Sequence, residues 1–170
     1  YVLAGTAYFD DVSTETGPLA EAAFLQKASD VSLVYGTVNV DKADVDIDIT
    51  ELDLRYVFKN DWLVEVGIAN EDADGTEEDT TAVSVGKYLS DNSEIKGTFA
   101  QLDTDAEDFD VFGVSYKNLM DMEGDTALAL EVGLSLLDGD NNSDTETTAA
   151  ATYYLNQKLG VGAEIVREHV

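Results

Sequence analysis

Thr126–Leu137 reads T-A-L-A-L-E-V-G-L-S-L-L and runs on into D-G-D-N-N-S-D-T-E. Leu128, Leu130, Val132, Leu134 and Leu136 fall on one parity, and Ala129, Glu131, Gly133 and Ser135 on the other. Side chains alternate faces along an extended strand, so this stretch has one apolar wall and one small-or-polar wall. Wound as a helix, the same residues would scatter around the cylinder and leave Glu131 among them. The stretch is therefore a strand that ends in an acidic loop, and the unit recurs along the chain.

Outward from it, Tyr1–Phe9, Val31–Val40, Ile47–Phe58, Trp62–Ala69, Thr80–Leu89, Ile95–Leu102, Phe109–Asn118, Thr147–Leu155 and Leu159–Val166 read as further strands. This predicts about ten strands of about 8–11 residues, the length a tilted strand needs to cross a bilayer. Lys59-Asn60-Asp61, Ser90–Ser93, Asp121–Asp125 and Asn156-Gln157-Lys158 read as tight turns. The segments 41–48, 70–79, 103–110 and 138–146 read as long acidic loops. Within 45–58 the apolar parity switches from Val45, Ile47 and Ile49 to Leu52, Leu54, Tyr56 and Phe58, which predicts a bulge near Thr50–Glu51. Pro18 followed by good helix formers predicts a short helix over 18–28, with an irregular strand as the alternative.

The 170 residues form one domain by length, with one Pro and no Cys, so no disulfide or cysteine-based metal site is available. Thirty-six acids against nine bases give a formal charge of −27, which excludes nucleic acid as a partner. No apolar run reaches the length of a transmembrane helix, but strands that alternate lipid-facing and lumen-facing residues hide their hydropathy. The four acidic loops hold 19 of the 36 acids and one base, Lys42. Lys27, Arg55, Lys59, Lys87, Lys96, Lys117 and Lys158 lie near the short-turn ends. A wall between two different aqueous compartments accounts for that sorting, with loops outside and turns in the periplasm. Tyr56, Trp62, Tyr88, Tyr116, Tyr153 and Tyr154 lie close to turns, as an interfacial aromatic girdle would. The fold class expected is thus all-β, an antiparallel up-and-down transmembrane β-barrel spanning residues 1–170.

The segment G-P-L-A-E-A-A-F-L-Q-K-A-S (Gly17–Ser29), with the preceding Y-F-D-D, resembles the putative general porins of Gram-negative bacteria. The resemblance covers roughly residues 1–40 and implies an outer-membrane diffusion channel; it supplies no specificity residues. Such barrels close on an aromatic residue and keep both termini in the periplasm, whereas here both ends of the chain run to the loop side. That predicts one strand missing at each end of a parent barrel of about twelve, an even number as bacterial barrels have.

The single histidine, His169, has no identifiable nucleophile beside it, so no enzyme and no cofactor is expected. Asn70–Thr81 carries oxygen ligands at the first, third and fifth places and Gly75 at the sixth, but Thr81 stands where an EF-hand needs Glu. Asp138–Ala149 fails at Ser143 and Ala149. No dedicated metal site is therefore expected; Asp72, Asp74, Asp138, Asp140 and Asp144 are candidates for weak, shared divalent binding beside lipopolysaccharide. By parity Glu51, Asp53, Arg55, Glu65, Lys117, Glu131 and Glu164, joined by Lys96, face the lumen, because charge on the lipid face would cost about 2–4 kcal/mol at the midplane. Gly67, Gly133 and Gly160 line the same wall. The function expected is a narrow, acidic, cation-preferring diffusion channel for small hydrophilic solutes and ions. The alternative is a non-conducting barrel acting as scaffold, adhesin or partner subunit, through self-association or a membrane complex. A helix over 18–28 folded into the lumen would act as a plug.

Overall fold

Alternation carries through to an antiparallel meander in which every strand pairs with its neighbours in the chain. The computed structural model describes residues 1–15, 17–40, 45–105, 107–139 and 143–169. The strands are β1 (Val2–Tyr8), β2 (Asp30–Val40), β3 (Val45–Val57), β4 (Trp62–Ala73), β5 (Thr76–Ser90), β6 (Ser93–Thr104), β7 (Asp108–Asp121), β8 (Ala127–Gly139), β9 (Ser143–Asn156) and β10 (Leu159–His169). A 3-10 turn at Leu19–Glu21 leads into the single-turn helix α1 (Ala22–Leu25) between β1 and β2. β1 and β10 do not pair, so the sheet is curled but not closed.

The register sorts the two faces. On the outer face Leu54, Val66, Val83, Phe99, Phe112 and Leu136 stand side by side across six strands. A parallel row runs Trp62, Lys87, Ile95, Tyr116, Val132, Ala149 and Ile165. Most of these large side chains are exposed, Val132 by 51% and Ile165 by 70%. Each such side chain gains about 1.5–3 kcal/mol on leaving water, so a belt of this extent is a surface made for lipid.

Three expectations are corrected. Pairing continues without a shift through Thr50 and Glu51, so there is no bulge. The parity switch is a change of depth: above the belt Asp46, Asp48 and Thr50 take the outer positions, and Ile47 and Ile49 turn inward. The acidic segments are mostly strand, which makes the strands 7–15 residues long. Residues 70–79 form a hairpin whose turn is Asp74-Gly75, at φ 55° and 82°, with Asp72 accepting the Gly75 N–H at 2.8 Å. Two consecutive positive φ values are what the type I′ turn of a right-twisted hairpin requires. The helix expected over 18–28 narrows to Leu19–Leu25.

The tight packing lies at the short-turn end of the inner face. Leu119, Ala127, Ala129 and Tyr154 form a buried cluster there, with Phe24 and Leu25 packed against it. Leu63 is fully buried close by, against Gly86, where a Cβ would lie 3.1 Å from the leucine side chain.

Candidate functional site: the inner wall and its short-turn mouth

Every lumenal residue expected from parity lies on the inner face, and the strands bring two groups of them together. Arg55 on β3 faces Glu65 on β4 and donates to it. The same guanidinium donates to Tyr88 Oη at 2.9 Å and to Glu94, whose side chain is 7% exposed. Lys96 donates to the other oxygen of Glu65 at 2.6 Å. An arginine fork suits such a hub, because its planar donors serve several acceptors from one fixed position. In the second group Lys117 Nζ lies 2.9 Å from Glu131 Oε1 across the β7–β8 pair.

Glu51, Asp53 and Glu164 stand apart from these groups. Asp53 reaches over Gly67, where a Cβ would lie 2.5 Å from its Oδ1, so the glycine makes room for the carboxylate. Gly133 accommodates Thr148 Oγ1 in the same way, at 2.5 Å from the missing Cβ. Glu164 pairs with Ala150 of β9 on the edge strand β10. Of the candidate divalent ligands, Asp72 and Asp138 face outward, Asp74 lies in the turn, Asp144 faces inward, and Asp140 lies outside the described residues. The structure does not gather them: among the described residues no group of three or more His, Cys, Asp or Glu is placed to hold a metal ion.

Sequence reasoning placed a helix over 18–28 but missed the side chains that dock it against the short-turn end of the inner face. Glu21, 5% exposed, accepts from Tyr154 Oη at 2.8 Å, and its Oε2 lies 2.9 Å from Lys117 Nζ. Phe24 packs against Tyr88 at 5.4 Å between centroids and sits beneath Lys117 at 4.9 Å. Its carbonyl accepts from Tyr88 Oη at 3.0 Å. Leu19 N–H donates to Gln157 O in the β9–β10 turn at 2.8 Å. Lys27, at φ 53°, ties the end of the segment to Asp61 at 2.8 Å and Asp91 at 3.1 Å. The Asp61 hydrogen bond, outweighing desolvation, raises the Lys27 ammonium above its ordinary 10.5. Residues 17–28 thus make contacts across the short-turn end from the β3–β4 turn to the β9–β10 turn.

Tyr88 and Tyr154 are therefore corrected from the girdle to the inner face, where they are 2% and 8% exposed. Their parity, shared with Ser84 and with Thr152, carried the signal. Tyr56, Trp62, Tyr116 and Tyr153 keep outer positions, with Lys87 Nζ 5.4 Å from the Trp62 ring centroid. Between the helical segment and the wall lies a cavity of about 320 Å³ lined by Glu21, Asp30, Arg55, Glu94, Lys117 and Glu131, among others.

A family profile described as putative general bacterial porin matches residues 1–120. The chain belongs to that porin family. Among solved structures this porin is similar to the Acinetobacter baumannii outer membrane protein Omp33, at 20% identity and a TM-score of 0.58, covering 99% of this chain and 84% of that one. It is also similar to the KdgM porin, solved with disordered oligogalacturonate, at 10% identity and a TM-score of 0.62, covering 98% of this chain and 84% of that one. No curated protein matches it in sequence. The likenesses establish the fold, an all-β up-and-down antiparallel sheet like those of outer-membrane porin barrels.

Proposed function

We propose that this porin is a narrow diffusion channel that prefers cations, with the acidic ends of its hairpins outside the cell and the short turns in the periplasm. The observation that carries the reading is the charge of the inner wall. Arg55, Lys96 and Lys117 stand there against Asp30, Glu51, Asp53, Glu65, Glu94, Glu131 and Glu164. All three bases are held in ion pairs at the short-turn end, which leaves Glu51, Asp53 and Glu164 to set the field higher up. A wall of one sign with low-dielectric surroundings raises the local concentration of the opposite ion. Small hydrophilic solutes pass by diffusion, and no chemistry on them is needed.

The test is conductance in a planar bilayer under a KCl gradient. The reading expects a reversal potential favouring potassium; one favouring chloride overturns it. A second reading has support from residues 17–28, which pack against the short-turn end of the inner face: a non-conducting barrel that acts through its acidic outer end on a lipid, a second copy or a membrane partner. Correctly folded protein that inserts and passes no current would select it.

A further inference from the structure

We propose that Lys87 and the groove beside it on the outer face are a binding site for an anionic phospholipid, with the lysine on the headgroup phosphate and one acyl chain in the groove. That the lipid is a phospholipid rests on the reading that puts the short turns in the periplasm. Three observations carry the site.

The first is a charge without a protein partner. Lys87 stands exposed on the outer face of β5, between Trp62 of β4 and Ile95 of β6. Among the described residues it makes no ion pair, although Lys27, Arg55, Lys96 and Lys117 each hold a carboxylate. The acids of the outer face are out of reach: Asp46, Asp48, Asp72, Asp79 and Asp103 stand at the opposite ends of their strands. A lysine on a lipid-facing wall lays its stem along the apolar surface and turns its ammonium to the headgroups, where its counter-charge lies. The second is height. Lys87 Nζ lies 5.4 Å from the centroid of the Trp62 ring. Indole rings settle at headgroup level, so the pair holds the ammonium near the plane of the lipid phosphates.

The third is a groove of about 360 Å³ that begins on the strand next to Lys87, lined by Ile95, Val114, Tyr116, Val132, Leu134 and Thr147. Gly97 leaves the outer surface low between Val85 and Val114, where a Cβ would meet only backbone oxygens, at 3.9 and 4.0 Å. The groove follows the row that climbs from Trp62 at the short-turn rim through Lys87 and Tyr116 to Val132 in the middle of the belt. From Lys87 on β5 to Thr147 on β9 the path crosses about 19 Å at about 4.8 Å per strand, against about 15 Å for half of the hydrocarbon core. The chain of one leaflet fits that length with its headgroup at Lys87. Phosphatidylglycerol is the lipid this selects, because its phosphate has no ammonium of its own.

Trp62, the single tryptophan, reports the site. The full chain is folded at low ionic strength into vesicles of phosphatidylcholine and phosphatidylglycerol, with bromines on the acyl chains of one lipid or the other. Quenching of Trp62 gives their relative affinity, and heat-shifted mobility checks the folding of each variant. Phosphatidylglycerol should be preferred about fivefold, which is what one lysine near an anionic surface contributes. Lys87→Gln should bring the two lipids to parity or below, and Lys87→Arg should keep the preference. Arg167→Gln, at the other end of the outer face, should leave it unchanged. Gly97→Leu, which fills the low end of the groove with Lys87 in place, should at least halve it. Parity of the two lipids in the parent, or a preference that either Lys87→Gln or Gly97→Leu leaves untouched, overturns the site. Those results leave the channel reading standing, because it turns on the sign of the reversal potential. Lipid A that displaces phosphatidylglycerol from Trp62 overturns the phospholipid and counts against short turns in the periplasm.

Discussion

Placing one arginine at two depths and on two faces of β8 measures the membrane geometry directly. The apolar parity from Leu128 to Leu136 runs about 27 Å along the strand at about 3.4 Å per residue. At a tilt of about 40° this is about 21 Å of height, close to the apolar band of about 25 Å on outer-membrane barrels. Val132 is the middle of that run, faces out beside Tyr116 and Ala149, and is 51% exposed in the absence of lipid. Val132→Arg should therefore cost about 2–4 kcal/mol, and Leu136→Arg, at the upper margin of the belt, about 0–1 kcal/mol. Ser135→Arg points to the other wall, opposite Glu146, and should be nearly neutral. Urea unfolding in phospholipid vesicles reads all three through the single tryptophan, Trp62. A Val132→Arg no worse than Ser135→Arg would refute the assignment of faces, and equal costs at 132 and 136 would refute the depth.

Three further outcomes follow from the inner wall. Arg55→Met strands Glu94, whose side chain is 7% exposed, and should cost about 3 kcal/mol, more than half of it recovered by adding Glu94→Gln; equal stability of the single and double variants in urea would count against the hub. Gly133→Ala forces a Cβ to within 2.5 Å of Thr148 Oγ1 and should cost about 1–2 kcal/mol, relieved by Thr148→Ala, and a shift in urea midpoint that the second change leaves untouched would reject the contact. Lys27 has its folded pKa raised, so its contribution is complete below its ordinary 10.5 and is lost as pH rises through the raised value. The urea midpoint of Lys27→Met should accordingly fall below that of the parent at pH 8, and the gap should narrow at strongly alkaline pH; a gap that widens there contradicts the sign.

The meander and the two faces were legible because a period of two survives any detail of curvature. What misled was height. In β3 the outward residues change from Leu52, Leu54 and Tyr56 to Asp46, Asp48 and Thr50 where the strand leaves the apolar band, and a switch of solvent looks in the sequence like a slip of register. The same error made loops of the strand ends at 70–79, where Asp74-Gly75 was the better guide. Arg55, Glu65, Lys117 and Glu131 were read onto the face of the sheet where they lie, but their partners were not all found with them. Glu21 sits in an A-E-A-A-F-L stretch that any short surface helix could share. Only the convergence of Tyr154 and Lys117, more than ninety residues away in the chain, gives it a role.

That distance bears on the order of assembly. Every strand pairs with a neighbour in the chain, so the sheet grows from hairpins whose loop-closure cost is small. The contacts of the β1–β2 connection are the exception: Glu21 meets Tyr154 across 133 residues, and Gln157 meets Glu15 across 142. None of these can form until β9 and its turn are in place. The segment made second along the chain can lean early on β5 through Phe24 and Lys27, but it completes its docking only when the sheet has been built through β9.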